Sequence, residues 1–270
     1  MPVVDLTLLE EAARKAGELG LTYWGGSFQH WDKPEDAGPV TEADLAVNDL
    51  LHDMLLGTRP TYGWLSEETQ DDAARLTKDR CFIIDPIDGT RSFMAGEKTW
   101  SHSIAVVENG QVIAGVVYLP ATNVIYRAAR GAGAFVGDSL MQVQGVDHIE
   151  NARILANRAV MTSGHWLDGS APDFDRHHRP SLAYRMAAVA EGKFDGMITL
   201  RPTWEWDVAA GVLMVEEAGG VVSDRTGNNV QFNNPTPQSK GLIATTETLR
   251  DQFLEKLDRR YILKNGCKAR

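Results

Sequence analysis

The stretch DPIDGT, at residues 85–90, constrains the fold of this chain more than any other part of it. It follows an apolar run, CFII at residues 81–84, that is typical of a buried strand. A proline stiffens the backbone between Asp85 and Asp88, and Gly89 permits a tight turn after them. Both carboxylates are therefore expected to converge at the end of one strand, where burying them unpaired would be costly.

A bound divalent cation would remove the repulsion between these two carboxylates. Clustered oxygen ligands favour Mg²⁺, Ca²⁺ or Mn²⁺. The successive backbone N–H groups of Gly89, Thr90 and Arg91 can also hold a phosphate oxygen. The alternative is a β-turn with two solvated aspartates, and these six residues alone leave both interpretations open.

Further acidic residues occur in four segments on either side of this stretch. They are VTEAD at 40–44, LSEET at 65–69, WEWDVAAG at 204–211 and EEAGG at 216–220. Thr41 and Asp44 have the spacing of a helix N-cap with a capping box. Glu67 and Glu68 fit an exposed helix start, where carboxylates are favoured. The first two segments therefore have structural interpretations that require no catalysis.

Together with Lys33, these segments resemble the inositol monophosphatase family of metal-dependent phosphatases, from about residue 33 to about residue 245. The strings DPIDGT and WDVAAG…EEAGG are the most specific part of the resemblance. It implies an α/β fold, an αβαβα sandwich of two sheets with helices between and outside them. The predicted order of helices, antiparallel sheet and α/β units agrees with such layered packing. We expect an N-terminal half at 1–140 and a C-terminal half at 141–270, with the site between them.

The resemblance implies a set of metal ligands that bind two to three Mg²⁺ ions. They are Glu67, Asp85, the Ile87 carbonyl, Asp88 and Asp207. Hydrolysis of a phosphate monoester requires the barrier to fall by roughly 20 kcal/mol. Two metal ions can supply much of this by activating water and stabilising the leaving oxygen.

The resemblance also implies catalytic and substrate-binding residues. Thr90, polarised by Asp44, would position the attacking water, and Glu67 would bind a third, weaker Mg²⁺. The candidates for substrate binding are Lys33, Gly89, Thr90, Asp207 and Arg201. Arg185 is a further candidate contact, although for both arginines an ordinary surface position is the alternative.

The substrate is the least constrained part of this interpretation. Inositol monophosphatases have a glutamate that binds inositol hydroxyls at the position of Leu200, and Arg201 beside it can bind a second phosphate bidentately. The segments 181–184, 189–192 and 205–207 are similar to the 3′(2′),5′-bisphosphate nucleotidase branch, whereas 85–93 is also similar to histidinol-phosphate phosphatases. We place an inositol monophosphate first and keep the other two as alternatives. A regulatory or scaffold protein is the non-enzymatic alternative, and the costly acidic cluster argues against it.

Composition limits the partners and the location. A net charge of −10 argues against nucleic-acid or anionic-membrane binding. The resemblance implies a small phosphorylated metabolite as the partner. No apolar run approaches the ~20 residues that span a bilayer. Two cysteines and no visible signal peptide favour the cytoplasm. The resemblance implies a homodimer and inhibition by lithium.

Three local predictions concern secondary structure. The pattern of apolar residues predicts a helix over 5–19 that ends at Gly20. The dipeptide Asn109-Gly110 predicts a hairpin turn between two strands. The polar segment 162–180 is predicted to lie on the surface.

Overall fold

The computed structural model describes residues 2–33 and 38–258. Six α-helices lie within these ranges: α1 (Pro2–Tyr23), α2 (Glu42–Thr58), α3 (Thr90–Met94), α4 (Leu182–Ala190), α5 (Glu205–Glu217) and α6 (Glu247–Lys256). None of them combines the length and the apolar character needed to cross a membrane.

Most strands of the first half form one seven-stranded sheet. After a short hairpin of β1 (His30–Asp32) and β2 (Pro39–Thr41), the sheet has the spatial order β3 (Gly63–Ser66), β4 (Arg80–Asp88), β5 (Ser101–Glu108), β6 (Gln111–Leu119), β7 (Val124–Ala129), β8 (Gly133–Val136) and β9 (Ser139–Leu140). β3 and β4 are parallel, and the other neighbours are antiparallel. Asn109 and Gly110, with φ angles of 52° and 77°, form the predicted turn between β5 and β6.

The second sheet has five strands. It consists of β10 (Arg153–Ala156), β11 (Asp175–His177), β12 (Gly196–Thr199), β14 (Val221–Ser223) and β16 (Leu242–Thr245), in the spatial order β11-β10-β12-β16-β14. A separate pair joins β13 (Thr203–Trp204) to β15 (Gln238–Ser239) just before α5.

Alternate residues of β4 face two different cores. Cys81 and Ile83 belong to the core between the two sheets, which also contains the apolar residues of α4 and α5. Phe82 and Ile84 belong to the core beneath α1 and α2. A third core lies between the five-stranded sheet and α6. The layers therefore follow the order αβαβα, and the predicted fold is confirmed. The division at residue 140 stays a prediction.

A β-bulge brings the two aspartates of β4 to one face of the sheet. In a regular strand, residues three apart point to opposite faces. Asp85 pairs with Ser103 and Asp88 pairs with Ser101, so β4 has one more residue than β5 between these pairs. Ser101 and Ser103 are two residues apart on β5 and point to the same face. The extra residue of β4 therefore rotates Asp88 onto the face of Asp85. The proline at position 86 sits within this irregularity, where a missing N–H is tolerated.

Two sequence predictions about element limits are wrong. Helix α1 passes through Gly20 and ends at Tyr23. A Cβ at position 20 would lie 3.1 Å from the Trp100 ring. This glycine therefore allows α1 to pack closely on Trp100 and does not end the helix. The segment 162–180 is not wholly a surface segment. Trp166 and Phe174 are buried in the third core, which secures this polar stretch to the sheet.

Helix α5 lies unusually close to the seven-stranded sheet. Gly115 on β6 pairs with Ala105 and Ala128 on the neighbouring strands, which makes a row of small residues beneath the helix. A Cβ at Gly115 would lie 3.0 Å from the Ala210 Cα. This close approach sets the depth of α5 and therefore the position of the site residue at its start.

We expect Gly115→Ala to destabilise the fold by about 1–3 kcal/mol, because the added methyl group must displace the backbone of α5. Gly57→Ala is the matched control, since a Cβ there meets nothing within 4 Å on the exposed side of α2. Denaturant unfolding of both variants measures the difference. Equal free energies of unfolding for the two variants would contradict the close-packing argument.

Candidate active site

One cleft of about 970 Å³ brings together nearly all the predicted site residues. Its lining includes Lys33, Glu67, Asp85, Ile87, Asp88, Gly89, Thr90, Arg201 and Asp207, and also Arg185. Asp44 does not line the cleft and lies behind Thr90. The cleft therefore joins segments that are more than a hundred residues apart in the sequence.

Three carboxylates form the centre of this cleft. Glu67 follows β3, Asp85 lies on β4, and Asp207 lies in the first turn of α5. One oxygen of each lies within 4.8 Å of the others. Asp85 is buried, and its Oδ1 has no hydrogen-bond partner within the described part of the chain.

Burial and neighbouring carboxylates raise the pKa of the two aspartates in this cluster. Burial raises the pKa of Asp85 well above its ordinary value, and Glu67 and Asp88 raise it further. Burial likewise raises the pKa of Asp207, and the charges of Asp88 and Glu67 raise it further. Without a counter-ion, the folded chain therefore favours protonation of these two aspartates.

Asp88 is oriented by the start of α4. Its Oδ2 accepts hydrogen bonds from the Ser181 hydroxyl at 2.6 Å and from the Ala183 N–H at 2.7 Å. Ser181 is also the N-cap of α4, with its Oγ accepting a bond from the Tyr184 N–H. Burial raises the pKa of Asp88 to about 6, against these hydrogen bonds. The role of Ser181 is not evident from the sequence alone, although a serine before an apolar helix is a capping signal.

Asp44 makes both of the contacts that the sequence analysis expects, one with Thr41 and one with Thr90. Its Oδ2 accepts bonds from the Thr41 N–H and hydroxyl, which completes the capping box of α2. Its Oδ1 lies 3.3 Å from the Thr90 Oγ1, which also lies 3.2 Å from the Ile87 carbonyl oxygen. Burial raises the pKa of Asp44 to about 6, although the bonds from Thr41 oppose the shift.

Lys33 bridges both glutamates of the LSEET segment. Its Nζ donates to Glu67 Oε1 at 2.7 Å and to Glu68 Oε1 at 2.6 Å. Burial acts to lower the pKa of Lys33, but the two carboxylates outweigh it and raise it. Burial and the Glu67 charge raise the pKa of Glu68 to about 7 despite Lys33. Sequence reasoning gave Glu68 no role, because adjacent acidic residues did not reveal which would face the lysine.

These shifts predict the pH dependence of the metal-free protein. The pKa values of Asp44, Asp88 and Glu68 are raised to about 6, 6 and 7, so at intermediate pH the folded state binds more protons than the unfolded state. Its free energy of unfolding should therefore rise as the pH falls from about 8 to about 5. Mg²⁺ should flatten this slope, because it binds the deprotonated carboxylates.

Thermal unfolding in EDTA and in excess Mg²⁺, over this pH range, measures the effect. The same pH slope under both conditions would contradict a metal-binding role for the cluster.

The donor set of the cleft fits Mg²⁺. All candidate ligands are oxygen atoms, as hard divalent cations require. The Oδ1 of buried Asp85, which has no hydrogen-bond partner among residues 2–33 and 38–258, is an acceptor that a cation would satisfy. The same cation would offset the mutual repulsion of Glu67, Asp85 and Asp207.

A network next to Asp207 was missed by the sequence analysis. Glu205 is buried at the start of α5, and its carboxylate accepts bonds from the backbone N–H groups of Asn233 and Asn234 at 2.7 and 3.1 Å and from the Asn234 side chain at 2.7 Å. Arg75 donates to Asn233 Oδ1 and the Asn234 carbonyl, and binds Asp71 with two nitrogens. This network joins the short 3₁₀ helix at Ala73–Thr77, which follows the LSEET segment, to α5. It therefore connects the parts of the chain that provide Glu67 and Asp207.

The two candidate arginines occupy different environments. Arg201 is exposed where it lines the cleft, which agrees with an ordinary surface position as well as with a substrate contact. Arg185 is buried on α4, so a surface position is wrong for it. Nearby, Trp204 stacks on Trp206 with ring centroids 4.6 Å apart and lines the same cleft.

The comparisons with known proteins agree with this geometry. The family model described as "Inositol monophosphatase family" matches residues 4–261. The chain belongs to the inositol monophosphatase family. It is therefore a phosphatase that hydrolyses phosphate monoesters, and the scaffold alternative is not favoured.

Individual family members are similar over most of their length. The inositol-1-monophosphatase of Mesorhizobium japonicum is 34% identical over 265 residues, covering 93% of this chain and 94% of that protein. The histidinol-phosphatase of Chlorobaculum parvum is 35% identical over 233 residues, covering 83% and 86%. The solved structure of a Thermotoga maritima IMPase has a TM-score of 0.81 and 31% identity, covering 94% and 96%.

Proposed function

We propose that this family member is a Mg²⁺-dependent phosphatase of small phosphorylated metabolites, with an inositol monophosphate as the first candidate substrate. The observation that supports it best is the meeting of Glu67, Asp85 and Asp207 within 4.8 Å, from three separate segments. An acidic cluster of this kind binds an anionic phosphate only when cations reverse its charge.

Five groups are proposed to bind the metal ions, two to three per site. They are Glu67, Asp85, the Ile87 carbonyl, Asp88 and Asp207. When bound, Mg²⁺ lowers the pKa of water and stabilises charge on phosphate oxygens. The hydrogen bonds to Oδ2 of Asp88 orient that carboxylate before any ion binds, which reduces the cost of ordering the site.

The turn after β4 is proposed to hold the reacting phosphate and the attacking water. Gly89 has a φ of 97° and is the N-cap residue before α3, so its N–H and that of Thr90 can donate to phosphate oxygens. When Thr90 donates its proton to Asp44 Oδ1, its Oγ1 can accept a hydrogen bond from water and orient it. Above the pKa of about 6 for Asp44, its carboxylate is available to accept that proton.

Lys33 is proposed to set the position of Glu67. The Nζ group binds both Glu67 and Glu68, so the lysine charge is balanced by Glu68 whenever Glu67 binds a cation. Asp207 is proposed to contact the substrate as well as the metal, because it lines the same cleft as Gly89 and Thr90. Arg201 completes the proposed substrate contacts.

The identity of the substrate is supported by the names of relatives. The Mesorhizobium relative is named as an inositol-1-monophosphatase, which supports inositol 1-phosphate. A relative of similar identity is named as a histidinol-phosphatase, so histidinol phosphate belongs in the same assay. Adenosine 3′,5′-bisphosphate tests the third alternative.

Phosphate release from these three compounds, with Mg²⁺ and with EDTA, tests the proposed function. We expect release only with Mg²⁺, and inhibition of that release by lithium. Folded protein that releases phosphate equally well in EDTA would contradict the metal requirement. Absence of release from all three compounds by folded, Mg²⁺-loaded protein would contradict the proposed substrate class.

We also propose a homodimer in the cytoplasm. The family resemblance supports the dimer, and a free buried Cys81 agrees with a reducing compartment. Light scattering after size-exclusion chromatography tests the assembly, and a mass of one chain at micromolar concentration would contradict it. Fractionation of source cells tests the location.

A further inference from the structure

His102 is a buried titratable residue that has no part in the proposed mechanism. It lies on β5 between Ser101 and Ser103, and none of its surface is exposed. Burial lowers the pKa of His102 to about 4, although a hydrogen bond with the Pro86 backbone opposes the shift. The ring is therefore neutral at neutral pH and carries a single N–H donor. Burying such a polar ring costs free energy unless its hydrogen bonds are made.

His102 is also the residue of β5 that lies opposite the β-bulge of β4. Within the bulge, β4 has two residues, Pro86 and Ile87, where β5 has only His102. A bulge interrupts the ladder and leaves a residue of the bulged strand without its regular hydrogen bonds. The side chain opposite the bulge is therefore in a position to replace one of them.

The His102 side chain makes such a hydrogen bond. Its Nδ1 is bonded to the Pro86 carbonyl oxygen, and because a carbonyl can only accept, this nitrogen is the one that carries the proton. The ring reaches the bulge from the α1 side of the sheet, since a Cβ at Gly20 would lie 3.6 Å from the His102 Cε1. An edge-to-face contact with the Trp100 ring, with centroids 5.4 Å apart, orients the imidazole.

This hydrogen bond restrains the one backbone torsion of residue 86 that can still rotate. The pyrrolidine ring holds the φ angle of a proline at about −65°. Peptide bonds are planar, so ψ is the remaining soft torsion. The ψ angle sets the direction of the Pro86 carbonyl, which His102 binds. Both torsions of the residue between Asp85 and Ile87 are therefore restrained.

The two neighbours of this histidine on β5 support other parts of the site from the opposite face of the sheet. Ser103 Oγ donates to the Trp206 carbonyl at 2.9 Å, at the start of α5. Ser101 Oγ lies 2.9 Å from the hydroxyl of Ser181, the residue that orients Asp88. Three successive buried polar side chains of β5 therefore each contact a segment that carries a proposed ligand.

We propose that His102 is a positioning residue for the metal site, and that its bond to the Pro86 carbonyl keeps the bulge in the conformation that brings Asp85, the Ile87 carbonyl and Asp88 together. The proposal rests on the proposed Mg²⁺-dependent function and adds a residue to it. His102 does not line the cleft, so it acts through the backbone of β4 and not on the substrate. Without this bond, metal binding would have to order the bulge as well, which would weaken it.

Three variants test the proposal through the Mg²⁺ dependence of the melting temperature, which requires no turnover. His102→Leu removes the donor and should raise the Mg²⁺ concentration for half-maximal stabilisation about 10- to 100-fold. His102→Asn places an amide N–H close to the position of Nδ1 and should recover most of this loss. Ile104→Ala removes buried apolar volume on the same face of β5, so it should lower the melting temperature and leave the Mg²⁺ midpoint unchanged.

Phosphate release from inositol 1-phosphate gives a second readout. At limiting Mg²⁺, His102→Leu should release phosphate more slowly than the wild type, and excess Mg²⁺ should restore most of the rate. The KM for the substrate at saturating Mg²⁺ should change little, because His102 is not among the residues that line the cleft. A large rise in KM at saturating Mg²⁺ would overturn a role confined to the metal site.

The wild-type protein provides a test that needs no folded variant at position 102. Long-range ¹H–¹⁵N NMR spectra distinguish a neutral imidazole protonated on Nδ1 from one protonated on Nε2. We expect the His102 proton on Nδ1, where the Pro86 carbonyl accepts it. A proton on Nε2, directed at the Ala16 backbone of α1, would overturn the proposal.

The outcomes separate this proposal from the proposed function. A wild-type Mg²⁺ midpoint in His102→Leu would overturn the positioning role and leave the phosphatase function intact. An equal shift of the midpoint in His102→Asn would overturn it, because the donor would then not be the cause. An equal shift in Ile104→Ala would also overturn it, because lower stability alone would then explain the effect. Absence of any stabilisation of the wild type by Mg²⁺ would contradict the proposed function itself.

Discussion

Asp85→Asn is expected to reduce phosphate release from inositol 1-phosphate by on the order of 10³-fold or more, and to raise the melting temperature of the metal-free protein. The activity falls because Asp85 lies at the centre of the acidic cluster and its Oδ1 has no other partner within the described residues. The stability rises because a neutral amide replaces a buried carboxylate. Burial, Glu67 and Asp88 all raise the pKa of that carboxylate, so its charged form is costly in the folded state. A residue with a purely structural role would not change these two quantities in opposite directions.

Two measurements on one preparation check this prediction. Differential scanning fluorimetry in EDTA gives the melting temperature, and repeating it with increasing Mg²⁺ gives the stabilisation that metal provides. The wild type should gain stability with Mg²⁺, and the variant should gain much less. Asp138→Asn, a fully exposed aspartate after β8, is the matched control and should behave as the wild type does. A less stable metal-free variant with unchanged Mg²⁺ stabilisation would be inconsistent with our interpretation.

Glu205→Ala is expected to destabilise the protein by about 3–5 kcal/mol, because it leaves buried groups without their partner. The Glu205 carboxylate accepts three hydrogen bonds from Asn233 and Asn234, and Arg75 is bonded to the same two asparagines. Because Asp207 follows on the same turn of α5, its position should loosen as well. We expect the Mg²⁺ concentration for half-maximal stabilisation to rise about 10- to 100-fold.

Denaturant unfolding measures the first effect, and the Mg²⁺ dependence of the melting temperature measures the second. Glu205→Gln keeps one carbonyl acceptor and should fall between the wild type and Glu205→Ala. Glu255→Ala, on the exposed face of α6, is the control for loss of a glutamate. A large loss of stability with an unchanged Mg²⁺ midpoint would show that the network supports the fold but does not position Asp207.

The sequence predicted the parts of this molecule that depend on local chemistry. The capping box of Thr41 and Asp44 and the turn at Asn109-Gly110 follow from rules that act over a few residues. The layer order followed from the family resemblance and agrees with the two sheets and their helices. The structure also brings the candidate ligands into one cleft, while their roles stay predictions.

Features that depend on tertiary packing could not be predicted in the same way. Gly20 was expected to end α1, but the absence of a side chain at this position allows α1 to pack against Trp100. The bulge that aligns Asp85 with Asp88 is a property of the pairing with β5. Glu205 and Arg75 are more than a hundred residues apart, and no local pattern indicates that both bind Asn233 and Asn234.

The most direct test of the central claim is to locate a bound metal. Crystals grown with Mn²⁺, which prefers the same oxygen ligands as Mg²⁺, give an anomalous signal that identifies each ion. We predict anomalous peaks at about 2.0–2.3 Å from carboxylate oxygens of Asp85 and its neighbours Glu67, Asp88 and Asp207. Mn²⁺ bound elsewhere, with this cluster lacking any anomalous peak at saturating metal, would contradict the account.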